Sequence, residues 1–252
     1  MKVRKVVAGG HEVVSTDTGR AAERTAERTF LLVHGIGMGT SYFASLGAAL
    51  QGYGRVVAVD LPGFGDAPEP ETSLTMAELG RVVIDFVRVE GLVGTVLVGH
   101  SMGAQVVAEA AAQRPELFPE VVLIAPTVNV HEHTAPWQLW RMAQDLFGES
   151  PRVIGVGLVN YAKAGPRWIL KKLGSMLEHP MAETLPRIRA HTLVVRGSRD
   201  RVCPRGWVEE ATAMIPGATM VEVAGRGHET MVKDGSAVAG YIAAHVGAVR
   251  PG

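Results

Sequence analysis

Gly99-His100-Ser101-Met102-Gly103 carries the residue types of an activated nucleophile, a serine with a glycine two positions away on either side. A serine hydroxyl attacks a carbonyl usefully only if it is exposed, close to a base, and beside backbone N–H groups that can hold a developing oxyanion. Its neighbours supply the exposure. Thr95-Val96-Leu97-Val98 is an apolar, β-branched run, and Ala104 to Gln113 is a strong helix former that stops at Arg114-Pro115. A strand, a tight turn and a helix therefore place Ser101 on an elbow, where the two glycines leave room for strained backbone and close packing. In a chain with 30 glycines the five residues alone are a moderate signal, so the case rests on the strand and helix around them.

The elements that must position this serine alternate. Lys2 to Ala8 and Glu12 to Thr16 bracket Gly9-Gly10 and predict a β-hairpin, followed by a polar loop from Asp17 to Arg28. Thr29 to Val33, Val56 to Val59, Thr95 to Val98, Val121 to Ala125, Thr192 to Val195 and Thr219 to Val223 read as buried parallel strands. Helical patterns cover Tyr42 to Gln51, Met76 to Glu90, Met102 to Gln113, Pro204 to Ile215 and Met231 to Val246. The fold class is α/β, a mostly parallel, doubly wound sheet of about eight strands with helices on both faces. One stretch breaks the rhythm. From Thr127 to Ala190 no sheet strand is visible, and five prolines divide a segment containing Trp137, Trp140, Phe147, Tyr161 and Trp168. It is too long for a structureless loop and predicts a helical insertion over the C-terminal strand ends, where open α/β sheets bind ligands. The expected division is a core of residues 1–126 and 191–252 with a helical cap at 127–190.

Bulk properties narrow the partners. A chain of 252 residues that is 47% hydrophobic can bury one full core. Its net charge is zero, its pI is about 7.1, and it has no long basic run, which argues against nucleic acid and anionic membrane surfaces and for a small-molecule substrate. The oligomeric state, monomer or homodimer, is left open. Cys203 is the single cysteine, so no intramolecular disulfide forms, and multi-cysteine metal patterns are absent. No cofactor is expected. Met1 to Lys5 precede an apolar stretch too short for a signal peptide, and no run reaches the roughly 18 apolar residues of a membrane span. The expectation is a soluble, cytoplasmic protein.

Four further pieces fall at the ends of the expected strands: His34-Gly35-Ile36-Gly37, Asp60-Leu61-Pro62-Gly63-Phe64-Gly65, Gly197-Ser198-Arg199-Asp200 and Gly225-Arg226-Gly227-His228. A parallel sheet brings them to one edge together with Ser101. With these pieces the chain resembles the α/β-hydrolases over nearly its whole length. In that family the acid and the histidine follow the nucleophile in chain order, which maps onto Ser101, Asp200 and His228. The resemblance also implies oxyanion donors at the backbone N–H groups of Met102 and Ile36, the latter in the HG-x loop, and a cap over the substrate. The activity it implies is a serine hydrolase of the carboxylesterase, lactonase or carbon–carbon hydrolase type, acting on a small ester or lactone through an acyl-enzyme. Two alternatives stay open: hydrolysis of a carbon–carbon bond in a vinylogous diketone, and a ligand receptor that retains the triad. Against the first, Glu229 follows His228 where many such relatives carry tryptophan.

Other residues have blander readings. His34, Gly35, Tyr42, Phe43, His100, Trp137 and Trp140 are candidates for the pocket wall, with core packing as the competing role. Asp60 reads as a turn acid satisfying backbone N–H groups. His131-Glu132-His133 resembles a metal cluster but lacks a third ligand nearby, and no metal site is expected. Cys203 reads as a packed residue without a base of its own. Arg167, Lys171 and Lys172 read as a solvated helix face.

Overall fold

A computed structural model describes residues 2–19, 28–132, 134–137, 140–141, 155 and 165–247. Strands β1 (Lys2–Ala8), β2 (His11–Asp17), β3 (Arg28–Val33), β4 (Gly54–Asp60), β5 (Val96–His100), β6 (Glu120–Ile124), β7 (His191–Gly197) and β8 (Thr219–Val223) form one sheet. Its order is β1-β2-β4-β3-β5-β6-β7-β8. The pairings of β2 with β1 and β4 are antiparallel, and every other neighbouring pair is parallel. Gly9 and Gly10, both at positive φ, close the β1–β2 hairpin. Most strands run a residue or two beyond their apolar stretch, because backbone pairing continues where side chains are already polar. Arg55 in β4 illustrates this, its guanidinium held 2.6 Å from the Asp17 carboxylate on β2.

Helix α1 (Ala44–Leu50) follows a short 3₁₀ turn at Thr40–Phe43. Helix α2 (Met76–Val89) starts with a capping box: Thr75 Oγ1 accepts from the Glu78 N–H at 3.2 Å, and Glu78 accepts from the Thr75 N–H at 2.8 Å. Helix α3 (Met102–Gln113) is buried along nearly its whole length, which explains its alanine and glycine content, since only small side chains let a helix sit between a sheet and a second helix. Buried Glu109 on α3 accepts from Thr184 Oγ1 at 2.8 Å and Gln113 Nε2 at 2.9 Å. Helices α4 (Pro166–Leu177) and α5 (Met181–Thr184) lie between β6 and β7, α6 (Arg205–Met214) between β7 and β8, and α7 (Thr230–Lys233) and α8 (Gly235–His245) after β8.

Two expectations are corrected. The last helical pattern is broken in two at Asp234, whose carboxylate accepts from the Ala237 N–H and caps α8. Gly235 sits at the break because a Cβ there would meet the backbone of Ser45 and Leu46, so the close approach of α8 to α1 requires glycine. Lys172 is not on a solvated face. Arg167 and Lys171 are exposed, but Trp168, Lys172 and Met176 fall one turn apart on the buried face of α4. The Lys172 ammonium donates to the Leu74 carbonyl at 2.6 Å and lies 4.9 Å from the centre of the Trp168 ring. Between β6 and β7 no strand occurs among the described residues, while Phe147 and Tyr161 lie outside them.

Burial pushes the Lys172 pKa down to about 8. The unfolded chain therefore holds this proton to higher pH than the folded one, and Lys172 makes folding more favourable as pH rises from about 8 towards 10. Chemical denaturation should show wild type gaining about 2 kcal/mol relative to Lys172→Met between pH 7 and 9.5. Parallel pH profiles for the two proteins would contradict the burial of this amine.

Candidate active site

β5 ends at His100 and α3 begins at Met102, leaving Ser101 alone at the turn with φ 55° and ψ −118°. An L-residue adopts this conformation only where packing enforces it, at a cost of about 1–3 kcal/mol. Gly99 and Gly103 make the enforcement possible. A Cβ on Gly99 would collide with the Gly103 carbonyl, and one on Gly103 would collide with the carbonyls of Val33 and His34 on the neighbouring strand and its loop. The Ser101 N–H donates to the Ile124 carbonyl at 3.0 Å, which ties the elbow to β6.

The loops after β7 and β8 meet beside this turn. Gly197 packs against the carbonyls of Arg226 and Gly227, and the Arg199 N–H donates to the Arg226 carbonyl at 2.8 Å. This junction places Asp200 against His228. His228 Nδ1 lies 3.0 Å from Asp200 Oδ2, and its Nε2 lies 3.1 Å from Ser101 Oγ. The other carboxylate oxygen of Asp200 accepts from the N–H groups of Val202 and Cys203 at 2.9 and 2.8 Å, so the acid is fully engaged and cannot swing away. With Nδ1–H donating to the carboxylate, Nε2 is left to accept the serine proton. Burial alone disfavours the imidazolium, but the charge and hydrogen bond of Asp200, with a smaller contribution from Cys203, outweigh it and hold the His228 pKa well above its ordinary value.

His100 is buried beside this line. Its Nε2 lies 3.1 Å from the His228 carbonyl, and its ring is 4.9 Å from that of His228 and 5.4 Å from that of Tyr42. Burial and the neighbouring His228 charge keep its pKa well below the ordinary value, so it stays neutral. Gly35 faces Ser101, since a Cβ there would stand 3.1 Å from Ser101 Cβ and 3.2 Å from His100 Nδ1. Ile36 follows at the turn, and Met102 occupies the first position of α3, where the N–H has no intrahelical acceptor. His34 holds this loop in place. Its Nε2 accepts from the Leu61 N–H at 3.1 Å, which leaves the Nδ1 proton to donate to the Gly35 carbonyl at 2.7 Å; burial keeps the ring neutral.

Asp60 behaves as a turn acid, accepting from the N–H groups of Thr40 at 2.5 Å and Asp66 at 3.0 Å. Tyr42 and Phe43 are buried beneath the loop, whereas Trp137 and Trp140 are 47% and 53% exposed. Trp137 lies under the Arg141 guanidinium at 5.6 Å. His131 pairs with Glu210 and Glu132 with Arg141, two separate contacts, and His133 lies outside the described residues. Cys203 departs from its expected setting, because a base is near. Its thiol donates to the Pro126 carbonyl at 3.3 Å, and its sulfur sits within 4.8 Å of ligand atoms of Asp200 and His228. Burial and the Asp200 charge push this thiol up to about 12, so it stays protonated. One contributor escaped the sequence reading altogether. Buried Arg196 donates to the Asp200 carbonyl at 3.1 Å and the Cys203 carbonyl at 3.2 Å, and it pairs with Glu222, its register partner on β8. An arginine closing an otherwise apolar strand, opposite a glutamate on the next, was the available signal.

The sequence model of the alpha/beta hydrolase family matches residues 30–240, from β3 into α8. The chain belongs to the alpha/beta hydrolase family. Among curated relatives of this hydrolase, a putative carbamate hydrolase, RutD, of Klebsiella pneumoniae (strain 342) is 26% identical over 227 residues, covering 81% of this chain and 85% of the relative. A thermophilic esterase from Thermogutta terrifontis superposes with a TM-score of 0.81 at 20% identity, covering 98% of each chain. An enol-lactonase from Burkholderia xenovorans LB400 does so with a TM-score of 0.82 at 18% identity, covering 97% of this chain and all of that one. These two likenesses establish the hydrolase fold. No helix among the described residues is long and apolar enough to cross a membrane.

The glycine contacts at the elbow make a direct stability test. Gly103→Ala forces a methyl group into two backbone carbonyls and should cost about 3 kcal/mol or more, lowering the melting temperature by about 6–12 °C. An unchanged melting temperature would mean that α3 and β3 do not approach this closely.

Proposed function

We propose that this α/β-hydrolase is a serine hydrolase that cleaves a small carboxylic ester or lactone through an acyl-enzyme on Ser101. The observation that carries the reading is the buried hydrogen-bonded line from Asp200 Oδ2 through His228 to Ser101 Oγ, with both contacts at 3.0–3.1 Å. His228 Nε2 takes the hydroxyl proton as Ser101 attacks the substrate carbonyl, and then delivers it to the departing alkoxide. Asp200 keeps the imidazole in the required tautomer and stabilises its charged form. The Ile36 and Met102 N–H groups hold the tetrahedral oxyanion, each contributing about 3 kcal/mol to lowering the barrier. A water molecule activated by the same histidine then releases the acid and restores Ser101.

The engaged Asp200 and the buried His34 fit this role, since both rigidify groups that must act without rearrangement. In the same proposal residues 127–190 form the cap, with Trp168 packed on Gly63 and Phe64 as its inner anchor. The esterase and enol-lactonase that share the fold act on the bond class proposed here.

Ser101→Ala should lower kcat/KM for short p-nitrophenyl esters by at least about a thousandfold with an unchanged melting temperature, and a fluorophosphonate should label wild type at Ser101 alone. Turnover retained in that variant would sink the proposal. Because His228 serves only when neutral at Nε2, its raised pKa sets the pH dependence. The kcat/KM profile should rise with pH through an apparent pKa above the ordinary histidine value of 6.5 and then level off. A profile already level below pH 6 would remove His228 as the base.

A further inference from the structure

At the opposite edge of the sheet from Ser101, the starts of two strands and the end of the last helix bring Glu120, His191 and His245 together. Glu120 opens β6 and His191 opens β7, and the two are register partners in a parallel pair, so their side chains stand side by side. His245 closes α8 and stacks on His191 with ring centres 3.8 Å apart. Glu120 Oε2 lies 3.0 Å from His191 Nδ1 and 3.7 Å from His245 Nε2, and one ligand atom from each of the three residues falls within 4.8 Å of the others. We propose that these three side chains form a zinc site that pins α8 to the sheet.

The donor set and the spacing carry the assignment. Two imidazoles and one carboxylate are the ligands of borderline cations such as Zn²⁺, not of calcium or magnesium, which take oxygen. With metal–ligand bonds of about 2.0–2.2 Å, neighbouring ligands of a tetrahedral zinc stand about 3.3–3.5 Å apart. The two carboxylate-to-imidazole distances bracket that edge. Both ring nitrogens now spend their protons on neighbours, His191 on Glu120 and His245 on the His191 carbonyl at 3.4 Å; shifting each proton to the other ring nitrogen frees a lone pair, and because stacked rings cannot aim in-plane lone pairs at one point, the exposed His191 ring turns out of the stack to share the ion. His245 and Glu120 are partly buried while the His191 side chain is 52% exposed, which leaves an entry path and a fourth position for water. This departs from the expectation of no metal, because the three residues are separated by 71 and 54 positions and no local spacing signals them. A second cluster, Asp200 with Cys203 and His228, belongs to the catalytic line already described.

The site lies away from the nucleophile, so it is independent of the reaction. Chelator-stripped protein titrated with zinc chloride should bind one ion by calorimetry, and its melting temperature should rise by about 5–10 °C at a hundredfold excess over Kd. Esterase activity should not change in that titration. His191→Gln, at the exposed ligand, should fold normally and lose the shift, and Glu120→Gln should lose it as well. Cobalt(II) should give visible d–d bands in wild type that vanish in both variants. An absent shift, or one retained in His191→Gln and Glu120→Gln, overturns the proposal. Zinc inhibition accompanying a retained shift would place the ion on His228 instead.

Discussion

The turn at Ser101 is the constraint on which the rest of the structure depends. A serine at φ 55° costs free energy by itself, and it persists because β5 and α3 are each locked before and after it. β5 is held between β3 and β6, and α3 is buried on every side. The enforcement works through absent atoms, since a methyl group at Gly99 or Gly103 would push the helix off the sheet and relax the turn. A small-residue helix at the centre of the molecule therefore serves the geometry of one hydroxyl group.

Electrostatics around that hydroxyl follows from burial acting differently on three histidines. His34 and His100 have no buried carboxylate bonded to the ring, and desolvation keeps them neutral, so they serve as fixed hydrogen-bonding groups for the Gly35 loop and the His228 carbonyl. His228 is equally buried but faces Asp200, whose charge reverses the outcome. Arg196 belongs to the same arrangement at one remove. It gathers the carbonyls of the Asp200 loop, so the carboxylate is positioned by a strand-end cation as well as by backbone N–H groups. Cys203 fills the remaining space as a neutral thiol.

The described part of the segment between β6 and β7 couples to this frame through buried polar contacts as well as through apolar residues such as Trp168, Leu173 and Met176. Lys172 reaches the Leu74 carbonyl, Gln105 on α3 donates to the Met176 carbonyl at 3.0 Å, and Thr184 donates to Glu109. Each contact satisfies a group that would be costly to bury unpaired, so the returning chain after residue 165 is placed against α3 and the loop before α2.

The strands were legible in the sequence because buried parallel strands are short, continuous apolar runs, and the extent of α3 was legible down to its ends. So were the strand-end pieces, since period and glycine content mark turns locally. The break at Asp234 was not, because it depends on how closely α8 approaches α1, and the burial of Lys172 was not, because a helical face becomes interior only when something packs on it. The pairing of Arg196 with Glu222, the base beside Cys203, and the triangle of Glu120, His191 and His245 likewise join residues far apart in the chain. By itself the sequence determined which residues could do chemistry and which sheet edge would carry them, because residue type and periodicity are local properties. Only the tertiary structure decided their distances, their protonation and their partners, because those depend on burial and on neighbours that the chain brings together through space.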